Sequence, residues 1–289
     1  MNKIFHFILM LFLLTSCIES HKQETKLQLK TSRIQIAQGE TLDYSSYVLG
    51  DHIQNVQWET IDTSQRGTYD VVYKLGEQQQ VLTVDIVRMY DHGIFHPEDV
   101  KPTIVNNPDD VTTLVNKIHQ LPENYVPQDL VDVIDSHQQL RKEAADAYKE
   151  FYLAAKEKGI KCYAISGYRT HETQTLYWQR QKAIKGDEYA SEYSAYPGRS
   201  EHQLGLAIDV SYRIDGDRLT EEVAKQPIGQ FIESDAYRYG FILRYPKDKV
   251  SITNYGYEPW HMRYVGIDLA TKLHQSGLTL EEYKEGVNS

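Results

Sequence analysis

Ser200-Glu201-His202-Gln203-Leu204-Gly205-Leu206-Ala207-Ile208-Asp209 is the stretch whose reading decides the fold. From Leu206 to Ser211 the residues alternate as in a strand, so Ala207 and Asp209 share one face while Leu206, Ile208 and Val210 take the other. A small alanine beside an inward-facing aspartate leaves room for an ion and a water. Gly205 permits the bend that returns His202 to the same spot. A buried-facing carboxylate without a partner is costly, so Asp209 needs company.

Further along, Glu258-Pro259-Trp260-His261 supplies it. Pro259 disfavours helical conformation at Glu258, which makes this an extended or bent segment rather than a helix carrying two zinc-binding histidines. A local bend must bring Glu258 and His261 to one place, and Trp260 is suited to pack over it. If the two segments converge, they offer two imidazoles, one carboxylate ligand and one spare carboxylate. A hydrolytic zinc centre needs that set: three protein ligands, an open position for water and a base beside it.

The ends of the chain suggest where such a site works. After Met1-Asn2-Lys3 the sequence is mostly apolar from Ile4 to Leu14, eleven residues. That is too short for a membrane-spanning helix, which needs about 20, and reads as a secretory signal peptide over residues 1–16. Its exit, Leu14-Thr15-Ser16-Cys17, resembles the bacterial lipoprotein lipobox, which implies lipidation of Cys17 and anchoring to the outer face of the cell membrane. The alternative is an ordinary signal peptide with an incidental cysteine. Residues 17–26 are polar and read as a tether. The second cysteine, Cys162, lies in an apolar, strand-like run and reads as a small core residue. With Cys17 lipidated, no intramolecular disulfide is possible.

Net charge is −10, and removal of residues 1–16, whose charged side chain is Lys3, leaves −11. This argues against nucleic acid, which wants a basic face, and against electrostatic adhesion to anionic lipid.

From 27 to 90 the pattern has period two. Tyr69, Val71 and Tyr73 share one face, as do Leu82, Val84 and Ile86, with Gly39, Gly50, Gly67 and Gly76 as punctuation. Short, regularly spaced strands predict an all-β sandwich, and the run Gly67–Tyr73 with the strand that closes it resembles the immunoglobulin-like repeats of bacterial surface proteins. The resemblance implies a spacer or, alternatively, a module that binds the wall or a protein partner. Residues 91–110, with Pro97, Pro102 and Pro108, predict a linker. From 111 to 289 the spacing predicts an α+β domain: a small, mostly antiparallel sheet flanked by helices. Leu114, Ile118 and Leu121 suggest one helical face, and a longer helix is predicted over about 128–158, ending at Gly159. A strand at Cys162–Ser166, a helix over Thr170–Lys182 and a capping box of Thr279 with Glu282 complete the pattern.

The larger domain resembles the zinc D-alanyl-D-alanine carboxypeptidases typified by VanY, within the hedgehog- and lysostaphin-like fold group. The family pattern Ser-x-His-x-x-Gly-x-Ala-x-Asp matches Ser200–Asp209, and Glu-x-Trp-His matches Glu258–His261. Ser166-Gly167-Tyr168-Arg169 with Gln174, the run from Tyr239 to Pro246, Leu121–Pro127 and Leu278–Tyr283 are similar too. The likeness covers about 111–285. One departure is Ile252-Thr253-Asn254, where the family often carries Gly third.

The resemblance implies that His202, Asp209 and His261 bind Zn²⁺ and that Glu258 is the catalytic base. It implies that Arg169 contacts substrate, either stabilising charge on the scissile carbonyl or gripping a terminal carboxylate. Ser200 and Gln174 are implied to line the substrate subsite. The implied activity is removal of the terminal D-alanine from peptidoglycan stem pentapeptides. The close rival is L,D-cleavage of stem tetrapeptides. A non-catalytic wall-binding lipoprotein would have lost the base or a ligand, and all four are present.

Overall fold

A computed structural model describes residues 26–50, 53–87, 90–91 and 94–286. The expected signal peptide, Cys17 and nearly all of the expected tether lie outside the described residues. The chain divides into two compact units, Met1–Ile86 and Val87–Ser289.

In the first unit the described residues form one four-stranded sheet in the order Arg33–Ala37, Gln78–Val87, Gly67–Leu75, Gln57–Trp58. The two long strands form a hairpin in which Val71 pairs with Leu82 and Tyr69 with Val84. Gly76 takes positive φ (58°) in the turn between them. The period-two reading of faces therefore holds. Val71, Tyr73, Leu82, Val84 and Ile86 are buried with Leu27, Leu42, Val48 and Val56. The opposite face is polar, where Arg33 pairs with Asp85 at 2.6 Å and Thr83 donates to Asp70 at 2.8 Å.

Among the described residues the core is closed by irregular chain and not by a second sheet, so the structure does not supply the second layer that the sandwich expectation needs. Asp43 accepts from the N–H groups of Ser45 and Ser46 and turns Tyr44–Tyr47 into a 3₁₀ helix where a further strand would be needed.

In the second unit a four-stranded antiparallel sheet runs in the order Tyr163–Ser166, Ala207–Ser211, His261–Tyr264, Phe241–Leu243. Leu206, Ile208 and Val210 enter one core with Tyr148 and Phe151 of the helix Lys142–Glu157 and with Phe231 and Met262. The aromatic contacts are close: Phe151 stands 5.0 Å from Phe231 and 5.7 Å, edge-on, from Tyr239. Burial of each such aliphatic side chain stabilises by about 1.5–3 kcal/mol. This core fixes the strand that carries Asp209, and the alternating face is thereby free for chemistry.

Three expectations change. The predicted helix over 128–158 begins only at Lys142. Before it, Leu130–Asp132 and Gln139–Arg141 pair as an antiparallel hairpin. Val131, Val133 and Ile134 are stiff at χ1 and suit strands, and Asp135 adopts positive φ (59°) in the turn. The helix stop at Gly159 holds, with φ of +72°.

The helical spacing around Leu114–Leu121 is also misleading. Asp110 accepts from Thr112 N–H at 2.8 Å, and Asn116 accepts from the N–H groups of Ile118 and His119. These side chains give the backbone turns in place of a helix, and His119–Gln120 then pairs parallel with Thr103–Ile104.

That pairing removes the third expectation, because 95–110 is packed structure and not a free linker. Phe95 and Val100 are buried, Phe95 N–H donates to Ser191 Oγ at 2.6 Å, and Arg199 donates to the carbonyls of Pro97 and Val100 at 3.3 and 3.2 Å. The prolines prevent a long ladder here, and the guanidinium of Arg199 takes up carbonyl groups that a ladder would have used.

Candidate metal centre

The site forms where the strands Ala207–Ser211 and His261–Tyr264 lie side by side. Their register sets Asp209 directly opposite His261. His202 arrives from the preceding loop, a run of tight turns in which Gln203, Leu204 and Gly205 donate back to the carbonyls of Ser200, Glu201 and His202. Gly205 closes that run at φ +67°, where a Cβ would also sit 3.0 Å from Leu130 Cδ2 and 3.1 Å from Arg141 Cγ. A side chain there would add the left-handed penalty of about 1–2 kcal/mol to that crowding. The segment Glu258–His261 bends as expected, with His261 N–H donating to Glu258 O at 3.1 Å. Asn254 takes the left-handed conformation (φ 59°) at the position where the departure from the family pattern was noted, and asparagine tolerates it.

His202, Asp209 and His261 are buried, and one ligand atom from each lies within 4.8 Å of the others. His202 Nε2 is 3.3 Å from Asp209 Oδ2, and His261 Nδ1 is 3.1 Å from Asp209 Oδ1. Glu258 Oε2 lies 3.5 Å from His261 Nδ1. The outer ring nitrogens are occupied: His202 Nδ1 meets Gly167 O at 2.8 Å, and His261 Nε2 meets Glu201 Oε2 at 3.3 Å. Each ring can thus donate outward and keep a lone pair for the centre. Buried Asp209 Oδ1 finds no well-aligned donor among the described residues despite the nearness of His261. Two imidazole nitrogens and a carboxylate with one orphaned oxygen fit a zinc ion, whose usual donors these are.

The electrostatics leave His202 ready as a ligand and hold an extra proton on His261 that a metal ion would have to displace. Burial pushes the His202 imidazole down to about 4, with Arg169 adding to the effect, so the ring is neutral and ligand-ready. Burial opposes charge on His261 too, but the carboxylates of Asp209 and Glu201 outweigh it and raise the ring to about 9. Burial opposes ionisation of Asp209, yet the two histidines hold it well below the ordinary carboxylate range. Burial lifts Glu258 to about 8, against the pull of His261 and with help from Asp209. Without a metal ion, and even beside the His261 ring, Glu258 keeps a proton at neutral pH. A dication held by the three ligands would favour its ionised form.

The remaining expected residues divide. Arg169 lines the cleft and stacks on Tyr177 at 4.7 Å. It donates to Ser166 Oγ at 3.0 Å, Gln174 Oε1 at 2.9 Å and Asp209 Oδ2 at 3.2 Å, which uses three of its five N–H groups. Ser200 lines the cleft and is buried. Gln174 does not line it. It is fully buried on the helix His171–Lys185, capped by Thr170, and its amide donates to Ala195 O at 2.8 Å while its oxygen holds Arg169. Its position behind the guanidinium makes it a brace for Arg169 instead of a subsite wall.

The sequence reading missed two groups. Tyr177, Tyr189, Tyr193, Tyr245 and Tyr255 line the cleft with Trp260; scattered through the chain, they share no spacing that could reveal them. The ions behind His261 were also missed: Glu201, Arg244, Arg263 and Glu281. Here a signal existed, since Arg263 alternates onto the same face as His261 and an arginine on an inward face demands an anion.

The comparisons with known proteins agree with this geometry. A family model described as "VanY: D-alanyl-D-alanine carboxypeptidase" matches residues 137–267. The chain is 47% identical over 191 residues to "Putative carboxypeptidase YodJ" of Bacillus subtilis (strain 168), covering 63% of this chain and 70% of the relative. Among solved structures, the LdcB LD-carboxypeptidase superposes with a TM-score of 0.59 at 44% identity, covering 66% of this chain and 94% of that one. A mutant of the vancomycin resistance D,D-pentapeptidase VanY, solved in complex with Zn(II), superposes at 0.52 with 35% identity, covering 60% and 98%. Identity at this level over nearly the full length of both solved neighbours, joined to the buried His202, Asp209, His261 and Glu258, places the chain in the VanY D-alanyl-D-alanine carboxypeptidase family.

Proposed function

We propose that this protein is a zinc carboxypeptidase that removes the terminal D-alanine from peptidoglycan stem peptides. The observation that carries this reading is the buried cluster of His202, Asp209 and His261 with a fourth side chain, the acidic Glu258, 3.5 Å from His261 Nδ1 and not needed as a ligand. When bound, zinc acidifies a water and polarises the scissile carbonyl. Glu258 accepts the proton of the attacking water and passes it to the departing amine, acting as base and then acid. Arg169 adds positive charge beside the reacting carbonyl or holds the terminal carboxylate of the peptide, and Gln174, Ser166 and Asp209 fix its fork. Tyr245, Tyr255 and Trp260 line the cleft beside the reacting groups.

D,D-cleavage of pentapeptides is the first reading. L,D-cleavage of tetrapeptides is the second, favoured by the greater likeness to LdcB, at 44% identity against 35% for VanY. Both readings need the same residues and differ in the configuration of the residue before the cut. Mass spectrometry after digestion of a defined stem pentapeptide beside the matching tetrapeptide separates them. Pentapeptide shortened by one alanine, with tetrapeptide untouched, is the D,D result, and turnover of neither excludes both.

We further propose that a lipid on Cys17 holds the enzyme on the outer face of the membrane, with the N-terminal β unit as spacer. Labelling with a fatty-acid analogue should mark the wild type and not Cys17→Ala. An unlabelled, freely secreted wild type rejects the anchor.

A further inference from the structure

We propose that Glu201 is a positioning residue of the metal centre: its carboxylate captures Nε2–H of His261 and so keeps the Nδ1 lone pair of that ring turned to the ion. The inference rests on the zinc reading above and concerns what makes His261 a ligand.

His261 stands between two buried carboxylates, Asp209 at 3.1 Å on the Nδ1 side and Glu201 at 3.3 Å on the Nε2 side. A neutral imidazole carries one proton, and the carboxylate that receives it decides which nitrogen is left to bind metal. Glu201 is built to receive it. Its Oε1 is fixed by Arg244 Nε and Arg263 Nη1, both at 2.7 Å, which leaves Oε2 for the ring.

Both guanidiniums are themselves immobilised. Arg244 forks onto Glu281 at 2.9 and 2.6 Å, at the start of the capped helix Leu280–Lys284. Arg263 donates to the carbonyls of Val111, Thr113 and Tyr264 at 2.9, 2.7 and 3.0 Å. All four ionic side chains are at most 5% exposed. Burying two cations and two anions is costly, and apolar side chains of the same volume would stabilise a core at least as well. The cluster is accounted for by the geometry it imposes: segments from both ends of the domain converge to hold one carboxylate oxygen against one ring nitrogen.

The test is Glu201→Gln. The two arginines keep the amide oxygen of the new side chain, so its NH₂ faces His261 Nε2 and drives the ring proton to Nδ1, where the ion must bind. Zinc affinity, measured by competition with a chromophoric chelator, should fall by about 10–100-fold, the range for lost outer partners of a metal-bound histidine. Glu281→Gln, which loosens Arg244 but leaves the Glu201–His261 contact, should lower thermal stability with a much smaller change in zinc affinity. Wild-type zinc affinity in Glu201→Gln overturns the proposal. Absence of zinc binding by the wild type itself overturns the zinc reading and this inference with it. If Glu201→Gln fails to fold, the zinc-loaded wild type decides. Its ¹H–¹⁵N spectrum should show His261 bound through Nδ1, with a downfield, slowly exchanging Nε2 proton. Binding through Nε2, or an Nε2 proton that exchanges as a free ring does, refutes the assignment.

Discussion

Glu258→Gln loses hydrolysis and keeps its metal. The substitution preserves shape and removes the one group placed to take a proton from the attacking water, so kcat should fall by about 10²–10⁴-fold, the usual contribution of a positioned base. The ligands are untouched, because the ion-pair distance linking Glu258 to them is the 3.5 Å approach to His261 Nδ1. Thermal stability should hold or rise. Burial already lifts this carboxyl to about 8, so its ionised form is a strain on the fold that glutamine does not carry. Turnover of a defined stem peptide, zinc content and a melting curve on one preparation check all three. A variant with wild-type turnover removes Glu258 from the mechanism.

Asp209→Asn fails differently. Asp209 is where His202 Nε2, His261 Nδ1 and Arg169 Nη2 meet, at 3.3, 3.1 and 3.2 Å. Loss of its charge removes a ligand and leaves the buried edge of Arg169 without its anion. Zinc affinity should drop by more than the about 10–100-fold expected when only an outer partner is lost. The fold should weaken by about 1–3 kcal/mol, the cost of an unsatisfied buried polar group. Chelation should stop the wild-type enzyme and added zinc restore it, whereas the variant should stay inactive at the same zinc concentration. The two variants thus share a loss of activity and part on metal content and melting temperature. Full activity of metal-free wild type, or wild-type zinc affinity in Asp209→Asn, contradicts the assigned ligand set.

Legibility in the sequence followed the range of the interaction. The alternation of Leu206–Ser211, the bend at Gly205, the proline after Glu258 and the capping box at Thr279 are local, and each appears in the structure as its residue chemistry dictates. The misread segments are those where side chains compete with the backbone or distant chain intervenes. Asp110 and Asn116 turned an apparent helix into loops, and β-branched residues with Asp135 made a hairpin of a helix's first half. Arg199 drew a proline-rich stretch into the domain. Gln174, expected beside Arg169 as a subsite residue, is buried with its oxygen on Arg169 and its amide on Ala195 O, partners that lie outside its own stretch of chain.

By itself, then, the sequence determined which residues could bind a metal and which could move a proton. Those properties belong to residue type and to backbone periods of two or three residues. Only the tertiary structure decided that Asp209 would face His261 across two strands and that Glu201 would be pinned by Arg244 and Arg263. Register and buried ion pairing are settled between segments far apart in the chain, by whatever partner satisfies each buried charge. No local pattern encodes that partner.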